Sequence, residues 1–192
     1  MTDEPPVPDC AEHGTLRHVC VHEAATAVMA QDLGTNYTGL TVPDLPTWLA
    51  RQRDQSAMSF PASLDILIAT PTVWVPSSPP DTLMFVLVGV TAEQTFLGHV
   101  LADSPLGYMN LWLRGMGASE SPTVESIGEL AGTPLNEVTA QTQDWVRMNS
   151  ARINGVAGVL AVSERDPLRL TAGEVMRIAR ATQPVDDKPA IS

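Results

Sequence analysis

The sequence predicts a mostly helical α+β domain with a small sheet in its N-terminal half. Three observations lead there. Two apolar stretches, Glu12 to Leu33 and Thr82 to Leu97, are long enough for buried helices. Two β-branched segments, Tyr37 to Val42 and Asp65 to Val75, lie between them as candidate strands. From Leu106 onward, helix-like segments follow one another with little between them. With 192 residues, 44% of them apolar and 17% charged, the chain can close one sizeable core.

Taken in order, residues 1–10 read as a flexible tail, because Met1 to Asp9 carry three prolines and three acidic residues. The domain is expected over residues 11–182, and the polar, proline-containing residues 183–192 form a second tail. In the first helix Leu16, Val19, Ala27, Ala30 and Leu33 share an apolar side, and Gly34 is the stop. A strand follows over Tyr37 to Val42. Pro43 to Pro46 then break the chain ahead of a helix over Thr47 to Gln55. The proline-rich turn Ser77 to Asp81 leads into the helix Thr82 to Leu97, ended by Gly98. Further helices are expected at Leu106 to Arg114, Thr123 to Leu130, Pro134 to Met148, Asn149 to Val162 and Thr171 to Ala181. Pro134 suits a first helical position, and Thr171 with Glu174 makes a capping box.

Composition excludes several function classes. A net charge of -11, from 22 acidic and 11 basic residues with no basic cluster, argues against nucleic acid. The apolar run Met84 to Val88, continued through Gly89 and Val90, stops far short of the roughly 20 residues of a membrane span. The first residues lack the basic and apolar regions of a secretory signal, so a cytoplasmic location is expected. Two cysteines, Cys10 and Cys20, are too few for a disulfide scaffold. No phosphate loop, nucleophile elbow or Cys-x-x-Cys pair is present. The four tryptophans, Trp48, Trp74, Trp112 and Trp145, are scattered as core or interface anchors.

Between Cys10 and Glu23 stand three of the four histidines and both cysteines. His18 and His22, four residues apart, project from one helix face, whereas Cys20 points the other way as a small core residue. His22-Glu23 is the first half of a His-Glu-x-x-His helix, in which two histidines hold zinc and the glutamate activates water. Thr26 stands where the second histidine belongs. Glu93 lies on an otherwise apolar helix; a buried carboxylate needs a partner, and a hydrogen bond to the neighbouring helix near His22 is expected. His99, just past the Gly98 stop, suits a helix C-terminus.

The stretch His22 to Ala30 followed by Leu33-Gly34 resembles the zinc helix of the FtsH-type metalloproteases. Leu87-Val88-Gly89-Val90-Thr91-Ala92-Glu93, followed by Phe96-Leu97-Gly98, is similar to that family's Leu-x-Gly-x-x-Ala-Glu helix. Leu170-Thr171-Ala172-Gly173-Glu174-Val175 resembles the Leu-Thr-x-x-Glu-Val turn that opens its last helix. The resemblance covers most of residues 15–180 and no ATPase module. It implies a helical FtsH-like protease domain standing alone, with zinc as its metal, a polypeptide as its partner and homo-oligomerisation as a family habit.

Departures from the family set the functional expectation. The third zinc ligand of the family is an aspartate, and the best counterpart here is Asn110, with Asp103 as a second candidate. His22 and Glu23 remain, Thr26 and Asn110 replace a histidine and the aspartate, and catalytic zinc needs three good donors plus water. Three readings stand. The first is a degenerate protease domain without cofactor that binds a peptide or protein, with Glu23 a vestigial base. In the second, a rearranged zinc hydrolase, His22, His18 and either Asp103 or Asn110 hold the metal and Glu23 serves as general base. The third is a scaffold or assembly subunit.

Overall fold

The computed structural model describes residues 14–34, 37–42, 64–66, 79–99, 132–162 and 168–182. Helix α1, Thr15–Asp32, is followed by strands β1, Tyr37–Val42, and β2, Leu64–Ile66, and by helix α2, Pro79–Leu97. Helices α3, Leu135–Met148, and α4, Ser150–Ala161, precede strand β3, Leu168–Thr171, and helix α5, Ala172–Ala181. The class is the expected one: a mostly helical chain with a small sheet.

Helix α1 is the centre of the fold. It packs against α2 and α4 on its flanks and against β1 and α5 beneath. A helix so enclosed is largely apolar all round: Val19, Cys20, Val21, Ala24, Ala25, Ala27, Val28, Met29 and Ala30 are all buried, and with them the polar His18, His22, Glu23 and Thr26. The apolar side expected from Leu16 to Leu33 is therefore only part of what is covered, and Leu16 itself is exposed. The alanines carry no bulk beyond Cβ, so neighbouring backbones approach closely. Helix α2 repeats the pattern with Phe85, Val88, Ala92 and Leu97 in the main core, while Leu83 and Leu87 meet Leu135 and Val138 of α3 in a second cluster. The amphipathic α3 buries Leu135, Val138, Thr142 and Val146 along one stripe.

The sheet is antiparallel in the order β2-β1-β3. Strand β1 has the bounds read from the sequence, and its Leu40 and Val42 enter the core. The third strand was not expected. Its four residues pair Gly39 with Thr171 and Val42 with Leu168, and they run directly into α5. Of the expected strand Asp65 to Val75, residues Leu64–Ile66 form β2 and the remainder lies outside the described residues. The same holds for both tails and for the helices expected at Thr47 to Gln55, Leu106 to Arg114 and Thr123 to Leu130.

Helix ends follow local chemistry. Gly34 and Gly98, read as stops, both take positive φ, 68° and 78°, where a side chain is disfavoured. Pro134 is the residue preceding α3 rather than its first helical residue; its ψ of 138° is extended while its carbonyl accepts from Val138 N–H. A bidentate ion pair pins the end of α1 to α4: Arg152 donates from Nη1 to Asp32 Oδ2 at 2.8 Å and from Nη2 to Oδ1 at 2.7 Å. At α5 the capping box forms as expected, with Glu174 N–H donating to Thr171 Oγ1 and Thr171 N–H to Glu174 Oε2. Replacing Thr171 by Ala is expected to cost about 1 kcal/mol, measured by denaturant unfolding.

Candidate functional site

Two helical repeats facing each other build the site. His18 and His22 are one turn apart on α1, and Gly89 and Glu93 are one turn apart on α2, so each pair occupies one face of its helix. Where α1 and α2 pack, the faces meet. Glu93 Oε1 accepts from His22 Nδ1–H at 2.7 Å, and Oε2 accepts from His18 Nδ1–H at 2.9 Å. An ionised carboxylate only accepts, which sets the proton on Nδ1 of both rings. All three side chains are buried: His18 and Glu93 have no exposure and His22 has 2%.

Gly89 explains how an imidazole fits there. A β-carbon on Gly89 would lie 2.4 Å from His22 Nε2, 2.5 Å from Cδ2 and 2.6 Å from Cε1. Such nearly equal distances place that carbon over the face of the ring, so His22 lies flat against α2 and only a glycine admits it. The Gly-x-x-Ala-Glu spacing thus has a physical meaning in this chain: glycine receives the ring and glutamate, one turn on, binds it. Past the Gly98 stop, the half-buried His99 places its ring 4.6 Å from that of His18, tilted by 52°.

The expectation for Glu93 is met and extended, since it binds His18 as well as His22. His18 is wholly buried and its ring is tied to α2. Glu23 is also buried without exposure, so it is not a solvated polar residue. Thr26 is 2% exposed and donates its hydroxyl to the His22 carbonyl at 3.0 Å, turned back on its own helix. Asn110, Asp103 and Cys10 lie outside the described residues.

The electrostatics follow from burial and two carboxylates. Burial alone would lower the His22 pKa, but the hydrogen bond to Glu93, its charge and that of Glu23 outweigh this and hold the value above the ordinary imidazole range. Burial pushes the Cys20 thiol up to about 12, with the Glu23 charge adding to the effect, so Cys20 is a protonated core residue rather than a thiolate ligand.

These residues do not fit the zinc site of a His-Glu-x-x-His helix. Thr26 brings no imidazole, and its hydroxyl is spent on the backbone. Among the described residues no group of three His, Cys, Asp or Glu side chains is placed to hold one ion. No protein-family model matches the chain, and no curated protein matches it significantly.

Two outcomes are expected. Gly89→Ala should destabilise by roughly 2–4 kcal/mol by displacing the His22 ring, whereas Gly158→Ala on the open face of α4 should be neutral or stabilise by up to about 1 kcal/mol; denaturant unfolding of both measures the contrast. Because the folded pKa of His22 is raised, its contribution to stability is complete below its unfolded value near 6.5 and is lost as pH rises through the folded value. Unfolding free energy should thus fall as pH rises above about 6.5, by at most about 1.4 kcal/mol per unit from this group, and His22→Gln should flatten the slope.

Proposed function

We propose that this chain is a metallopeptidase-like domain that binds an extended peptide or protein segment without hydrolysing it. The observation that carries the reading is Thr26: at the position of the second zinc-helix histidine stands a buried hydroxyl committed to the His22 carbonyl. Glu23, the residue in the general-base position, is enclosed in the core, whereas a base must come within hydrogen-bond reach of the water it activates. The three segments that resemble the FtsH-type proteases come together around α1, which supports a common architecture for the domain. Loss of water activation leaves strand-like capture of a polypeptide intact, because that mode depends on backbone hydrogen bonds and side-chain pockets. The acidic balance favours a polypeptide over nucleic acid.

A second reading, a metal-dependent hydrolase with a rearranged site, is favoured by one observation. Glu93 binds the Nδ1 atoms of His18 and His22 in the manner of a carboxylate that orients metal-binding histidines, which leaves Nε2 as the coordinating atom. Incubation with fluorescently labelled, unfolded casein separates the two. The binding reading expects a rise in anisotropy that chelator does not abolish, with the casein intact on a gel. Chelator-sensitive cleavage that disappears in Glu23→Gln would establish the hydrolase instead. Absence of both binding and cleavage would favour a scaffold role.

A further inference from the structure

We propose that His18, Glu93 and His22 form a structural cross-link that does the work of a metal ion between α1 and α2, so that the domain holds its fold without a divalent cation. A structural metal joins elements by drawing donors from separate positions onto one centre. Here the centre is the carboxylate of Glu93. Two imidazoles one turn apart on α1 converge on it, one to each oxygen, at 2.7 and 2.9 Å.

The surroundings are built for that arrangement. The cluster lies between the two helices that dominate the core, and none of its side chains exceeds 2% exposure. In so dry a place a charge-assisted hydrogen bond is strong, and loss of either partner leaves a buried polar group stranded. Gly89, one turn before Glu93, is cut back to admit the His22 ring to the site where the carboxylate holds it. Thr26, one turn beyond His22, brings no imidazole to the cluster and donates its hydroxyl to the His22 carbonyl of its own helix. Gly89 and both histidines serve the carboxylate-centred link, and among the described residues no third His, Cys, Asp or Glu joins them to hold an ion.

The link is independent of the polypeptide-binding reading, because it concerns what joins the helices and not what the domain captures. Thermal unfolding of the full chain tests it, followed by circular dichroism after dialysis against EDTA and again with one equivalent of zinc. The two melting temperatures of the wild-type protein are expected to agree within about 1 °C, as for any ion that gains nothing by binding the native state. Glu93→Ala should lower the melting temperature by about 10 °C. His22→Ala should cost much less in the Glu93→Ala background than in the wild type, because its partner is already gone. If Glu93→Ala does not fold, Glu93→Gln replaces it: an amide keeps one acceptor oxygen and should lose about half as much.

The proposal is overturned by a zinc-dependent rise of several degrees in the wild-type melting temperature that Glu93→Ala or Glu93→Gln abolishes. It is also overturned if the losses from His22→Ala and Glu93→Ala simply add, or if Glu93→Gln melts with the wild type. Casein cleavage by a protein whose melting temperature ignores zinc and EDTA would defeat the binding reading and leave the cross-link standing.

Discussion

A carboxylate in the interior of a protein has few ways to remain there. Glu93 has no exposure, and it is stabilised by sharing its two oxygens between imidazoles of a neighbouring helix. Much else in the structure is arranged around that constraint. The α1 and α2 axes must come close enough for a hydrogen bond of 2.7 Å, which the ring of His22 permits only because residue 89 has no side chain. On its other sides α1 is mostly small and apolar, which Ala24, Ala25, Ala27, Val28 and Ala30 supply. Polar specificity and close packing are thus met by one pair of helices.

Such a cluster also selects among alternative packings. Apolar side chains on α1 and α2 tolerate a rotation or a slip of one turn at modest cost, since Val, Leu and Ala are interchangeable partners. Two histidines and a glutamate are not interchangeable, and a slip that separated them would strand three buried polar side chains. The Arg152–Asp32 pair adds a second fixed point, where α1 ends against α4. Between them the two links orient the central helix along its length, one near its beginning and one at its end.

Much of this was legible in the sequence, for identifiable reasons. Strand β1 stood between a glycine stop and a proline pair, so both ends carried a signal; the Thr171 capping box is a local pattern that forms from neighbouring residues alone. Glu93 was readable because a carboxylate among apolar residues needs a partner. The burial of His18 was not, because periodicity finds no outward face on a helix covered on every side. Strand β3 escaped because its four residues run into a helix without a break, although the alternation Leu168, Arg169, Leu170, Thr171 was the available sign. The role of Gly89 depends on a distance between two helices, which no local pattern encodes.

The junction between β3 and α5 governs how the C-terminal part of the domain can move. Thr171 is at once the last residue of the strand, the cross-strand neighbour of Gly39 and the cap of the helix. A joint needs at least one residue whose backbone torsions are unclaimed, and here ladder, cap and helix claim successive residues without a gap. Strand β1, strand β3 and helix α5 are therefore joined with no loop residue to serve as a hinge, and the unit they make lies against the central helix.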